Sequence, residues 1–93
     1  NDGKAIRLIL PPLTEERRHD LVRLVHARLE EARVAIRNIR RDSIKDLREF
    51  EEEKMISEDE LKKGEADTQK LTDHYIEVIN EIGMHKEIEI MEV

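Results

Sequence analysis

VAIRNIRRD, residues 34–42, sets Ile36 and Ile39 beside Arg37, Arg40 and Arg41 in a chain that is acidic overall. Projected at about 100° per residue, Leu21, Val25, Ala32, Ile36 and Ile39 fall within about 60° of one another. Arg33, Arg37, Arg40 and Arg41 occupy a neighbouring face centred about 110° away. The isoleucines are therefore placed for burial and the arginines for the outside of the same helix. The apolar seam continues through Leu47 and Phe50 in steps that fit a helical period. No Gly or Pro interrupts it, and Thr14 is a suitable N-cap with Glu15 and Glu16 in the first turn, where the helix dipole favours carboxylates. The pattern predicts one helix of roughly 38 residues, about 57 Å long.

The stretch EEEKMI, residues 51–56, reads as a turn, and a second helix starts behind it. Ser57 and Glu60 have capping-box spacing, and Ile56 and Leu61 are placed as its hydrophobic staple. The seam of this helix is Leu71, Tyr75, Val78 and Ile82, flanked by Ile76 and Ile79 and followed by Ile88 and Met91. Gly64 and Gly83 lie inside it, each costing about 1 kcal/mol relative to Ala, so local weakness or bending is expected there. Two long helices joined by a short turn form an antiparallel hairpin. A second apolar face, made of Val22 and Leu29 on one helix and Ile76 and Ile79 on the other, is expected to need a third helix.

Upstream, KAIRLIL (4–10) reads as a short strand, and Pro11-Pro12 ends it with an extended connector. A lone strand is marginal, so its sheet partners are expected outside these 93 residues.

Composition agrees with thin helices. Charged residues make up 43% and aromatic residues 2%, too few large apolar groups for a thick globular core. There is no cysteine, which excludes disulfides and thiolate chemistry and fits a reducing compartment. The longest apolar run, Leu8 to Leu13, is too short to span a bilayer, so a soluble, cytoplasmic protein with no membrane partner is expected.

The net charge of −6 is unevenly placed. Residues 1–50 carry 12 Lys/Arg against 9 Asp/Glu, a balance of +3, while residues 51–93 carry 5 against 14, a balance of −9. A local excess of arginine on one helix keeps a polyanion in play despite the acidic total, because phosphate binding follows the local field.

Catalysis has little support. Glu16-x-x-His19 is half of a carboxylate-bridged di-metal pattern whose second half is missing; His19, His26, His74 and His85 read as surface residues. There is no Gly-rich phosphate loop, no HExxH and no nucleophile elbow, so neither an enzyme nor a metal or other cofactor is expected. The arginine face itself admits two readings: a solvated face paired to the acidic second helix, or a grip on RNA or another polyanion. Arg33 and Arg41, the i±4 neighbours of Arg37, repel it, which favours an external anion. Guanidinium groups suit that task, with several donors and a permanent charge.

Four stretches, PPLTEERR (11–18), ARVAIRNIRRD (32–42), ISEDE (56–60) and QKLTD (69–73), together with Ile6-Arg7 and the run through Met91, resemble ribosome recycling factors in order and spacing. The resemblance covers essentially the whole chain and corresponds to the C-terminal part of the family's pattern. It implies residues 1–13 as a remnant of the strand of domain II and the hinge, with Pro11 and Pro12 in the hinge. Residues 14–93 then correspond to the second and third helices of domain I, a long three-helix bundle. The expected architecture is all-α: a long antiparallel two-helix hairpin, part of an elongated three-helix bundle, preceded by a short β-strand and a Pro-Pro hinge.

The resemblance also implies a role after termination, in which such factors split spent ribosomes with elongation factor G, docking domain I on the large ribosomal subunit. Arg18, Arg33, Arg37, Arg40 and Arg41 stand in or beside the matching motifs as expected contacts to ribosomal RNA, with Arg37 and Arg40 foremost and Arg18 near the hinge. With the first helix and most of domain II absent, this chain is expected to self-associate, whereas the intact factor is expected to be a monomer. The contrasting reading is a helical-hairpin interaction module that self-associates without binding RNA.

Overall fold

A computed structural model of the chain describes residues 13–92. The expected strand at 4–10 and the Pro11-Pro12 hinge lie outside the described residues. Two helices account for nearly all of the rest: α1, Glu15–Glu52, and α2, Glu58–Met91. They form an antiparallel hairpin with extents of 71 × 31 × 15 Å.

The ends of both helices follow from local chemistry. Thr14 accepts a hydrogen bond from the backbone N–H of Arg17 at 3.0 Å, satisfying one of the first-turn donors of α1. Ser57 and Glu60 complete the capping box of α2, with Glu60 N–H donating to the Ser57 hydroxyl and Ser57 N–H donating to the Glu60 carboxylate. α1 ends in a Schellman arrangement. Met55 N–H donates to Phe50 O at 2.8 Å and Lys54 N–H to Glu51 O at 2.9 Å. This places Lys54 in the left-handed region, at φ 62°.

The face of α1 that meets α2 includes much of the expected seam, with Leu21, Val25, Ala32, Ile36 and Leu47 half-buried, whereas that of α2 differs from the expected one. Leu29 and Leu47 of α1 pack against Gly83 and Gly64 of α2. Val22, Leu29, Ile76 and Ile79, expected to await a third helix, are half-buried along this contact. Leu71, Tyr75 and Ile82, expected to be the seam, are instead 57%, 50% and 59% exposed, and Ile39 is 65% exposed. The physical reason lies in the two glycines, whose missing side chains leave notches that receive leucines and bring that face of α2 against α1. Neither glycine breaks the helix, and their expected role as weak points is replaced by one as packing notches.

No apolar side chain is fully buried among the described residues. Thr72 is buried at mid-length, with its hydroxyl donating to Thr68 O at 2.8 Å, so its polar atom is satisfied within α2. The hairpin therefore has two flanks beside its central seam. One exposes Ile39, Leu71, Tyr75 and Ile82; the other carries the arginines.

Candidate nucleic-acid interface

Five arginines are expected from sequence to meet RNA, and the hairpin gives them unequal surroundings. Arg33 has only 22% of its side chain exposed; its Nε donates to Glu30 at 3.1 Å and its Nη1 reaches across the seam to Asn80 Oδ1 at 2.5 Å. Arg37 lies 3.9 Å from the other oxygen of Glu30, with 43% of its side chain exposed. One carboxylate thus serves two arginines. Screening by the i±4 neighbours alone missed it, because Glu30 sits at i−3 and i−7.

Arg40 and Arg41 are held by neutral partners. Arg40 Nη1 donates to Gln69 Oε1 on α2 at 3.2 Å, and Arg41 Nη1 donates to Asn38 Oδ1 at 3.0 Å. Neutral amides fix the side chains while leaving their charge uncompensated, and each guanidinium keeps several free donors. Among the described residues, neither forms a salt bridge.

Arg18 is engaged differently. Its guanidinium donates to Leu13 O at 3.2 Å and to the carbonyls of Ile90 and Glu92 at the end of α2. The last carbonyls of a helix lack intrahelical donors and carry the negative end of its dipole, so a cation is favoured there. The geometry gives Arg18 a role as a clasp between the start of α1 and the end of α2. It lies apart from the other four, which occupy the middle of α1.

The basic face extends further than the expected set. Arg40, Arg41, Lys45 and Arg48 line a groove of about 520 Å³ between the helices. Arg48 Nε is held by Glu65 Oε2 of α2 at 2.9 Å. The signal for Lys45 and Arg48 was present in the spacing, at i+4 and i+7 from Arg41, but masked by the acidic residues that follow. A neighbouring groove of about 410 Å³ is lined by Ile36, Ile39, Leu71, Thr72 and Tyr75, and Arg40 borders both grooves. Charge and apolar surface thus lie side by side on the thin hairpin, with Arg40 at their border.

No group of three or more His, Cys, Asp or Glu is placed to hold a metal among the described residues. His26 pairs with Glu87 across the seam at 2.7 Å, a surface contact between helices. No helix among the described residues is long and apolar enough to cross a membrane.

The sequence matches the family described as "Ribosome recycling factor" over residues 1–91. It is 59% identical to the ribosome-recycling factor of Syntrophomonas wolfei subsp. wolfei, 55% identical to that of Trichlorobacter lovleyi and 53% identical to that of Roseiflexus castenholzii. Each alignment covers 100% of this chain and 50% of the relative, so the chain spans about half the length of the curated relatives it matches. A match over nearly every residue, at identities above half, shows that this chain belongs to the ribosome recycling factor family.

Proposed function

We propose that the chain binds the large ribosomal subunit through the arginine flank of α1, as the domain I portion of a factor that separates post-termination ribosomes together with elongation factor G. The observation that carries this reading is the side-to-side separation of the hairpin. Arg41 keeps uncompensated charge on one flank, the other presents an apolar strip, and Arg40, also held by a neutral amide, stands at the border between them. Phosphates are drawn to the first flank, and the second is free to pack against protein. Family membership supports the ribosome as the source of that phosphate.

In this reading Arg37 and Arg40 are the main contacts, Arg33 and Arg41 support them, and Arg18, near Pro11-Pro12 in sequence, joins with the donors that its clasp on the end of α2 leaves free. The factor acts mechanically, as a stiff rod docked on RNA, without a catalytic group of its own. A comparison of large and small subunits at one salt concentration tests the assignment. Preferential retention of the chain by large subunits is expected, and equal or absent retention overturns it.

The apolar flank favours a second behaviour of the 93-residue chain by itself. Ile39, Leu71, Tyr75 and Ile82 are each at least half exposed, more than a monomer usually leaves in one contiguous strip. Self-association through this flank is expected to leave the arginines accessible. Sedimentation over a concentration series tests it: a mass that rises with concentration in the parent, and stays monomeric in Leu71→Glu, supports it. A concentration-independent monomer mass for the parent removes it.

A further inference from the structure

We propose that the groove between Arg40 and Arg48 is a second phosphate subsite, continuing the RNA-binding flank toward the helical turn with Lys45 and Arg48 as its added cations. This rests on the proposed binding of ribosomal RNA and names residues beyond the five arginines of that reading.

Three observations support it. The first is spacing: Arg37, Arg41, Lys45 and Arg48 follow one another at steps of four, four and three residues, so they rise along one side of α1. Arg37 and Arg48 are 11 residues apart, or about 16 Å along the axis, long enough to follow several consecutive backbone phosphates.

The second is the shape. Arg40, Arg41, Lys45 and Arg48 line a groove of about 520 Å³ bounded on the α2 side by Gln69. Cations gathered in one concave site sum their fields at an anion seated there.

The third is charge balance. Arg40 and Arg41 lean on neutral amides, and Lys45 forms no salt bridge among the described residues. Arg48 is the one cation of the groove paired to a carboxylate, and Glu65 takes its Nε. Its two terminal nitrogens remain available as a fork for phosphate oxygens, and its side chain is 66% exposed. Glu49 and Glu52 line the end of the groove nearest the turn. Their charges repel phosphate, so the track ends there instead of running over the tip.

The test measures binding of the full 93-residue chain to purified large ribosomal subunits across a salt series, with helicity checked for each variant. Lys45→Gln/Arg48→Gln is compared with Lys62→Gln/Lys63→Gln, which removes the same charge from exposed positions on α2 outside the groove. The groove variant is expected to bind about tenfold more weakly, with a salt slope lower by about 1–2, because each released phosphate contact removes roughly 0.7–0.9 from the slope. The α2 variant is expected to stay within about twofold of the parent. If the two variants bind alike while Arg37→Ala/Arg40→Ala loses affinity, the subsite is wrong and the proposed function stands. If the parent itself does not bind, both fall.

Discussion

Leu29 occupies the space that a side chain on Gly83 would need: a Cβ there would lie 2.3 Å from Leu29 Cδ1, with Cδ2 and Cγ at 3.2 and 3.3 Å. The same construction at Gly64 meets Leu47 Cδ1 at 3.0 Å and only ordinary or slightly tight contacts beyond it. Replacing a helical glycine by alanine gains about 1 kcal/mol of helix propensity, while overpacking costs about 1–3 kcal/mol. Gly83→Ala is therefore expected to destabilise the hairpin by about 1 kcal/mol net, and Gly64→Ala to be neutral or stabilising by up to about 0.5 kcal/mol. Chemical unfolding of both variants checks the difference. Adding Leu29→Ala to Gly83→Ala should show strong coupling, since it empties the space in dispute.

Arg18 is predicted to hold the far end of the hairpin closed. Arg18→Met keeps the aliphatic stem but removes the donors to Ile90 O and Glu92 O. A loss of about 1 kcal/mol is expected, the scale of an exposed hydrogen bond combined with a dipole contact. Hydrogen exchange should quicken in the last turn of α2 and stay unchanged near Thr72. Arg18→Lys should recover part of the loss through charge alone.

Lys54 sits at φ 62°, where an L side chain crowds its own carbonyl. Glycine adopts this conformation freely, so Lys54→Gly is expected to raise stability by about 0.5–1 kcal/mol. Thermal unfolding reads this directly, and a lower midpoint would show that the Lys54 side chain makes a compensating contact.

The Glu60 carboxylate is held below its ordinary value of 4.5, chiefly by the hydrogen bond from Ser57 N–H and secondarily by the Ser57 hydroxyl. Because the folded value is the lower one, ionised Glu60 favours the folded state. That contribution is complete above 4.5 and disappears as pH falls through the lower folded value. Between these limits the parent should lose stability relative to Glu60→Gln, which has no charge to lose. Parallel melting curves over that window test it, and parallel decline in both proteins would contradict it.

The two helices were legible because their caps and periods are local. Thr14, Ser57 and Glu60 appear where the sequence places them, and the long uninterrupted stretch from residue 15 gives α1 its length. Which face of α2 would meet α1 was not legible, although much of the α1 seam was. Both helices carry two apolar faces, and large side chains such as Leu71 and Tyr75 outweigh Ile76 and Ile79 in any hydropathy pattern. The glycines decide the matter by shape, through contacts with leucines 17 and 54 positions earlier in the chain that no local pattern reveals.

The arginine face was legible in part for the same reason. The spacing of Arg33, Arg37, Arg40 and Arg41 is local, but their partners Asn80 and Gln69 come from the other helix. Arg18 looked like one more basic residue near a hinge until the end of α2 came back to meet it.

The most direct test of the RNA-binding flank is the affinity of the chain for large ribosomal subunits across a salt series, beside a helical Arg37→Ala/Arg40→Ala variant. The account predicts tight, steeply salt-dependent binding by the parent, with the variant weaker by at least about tenfold and its slope reduced by about 1–2. Equal affinities and equal slopes for the two proteins would contradict it.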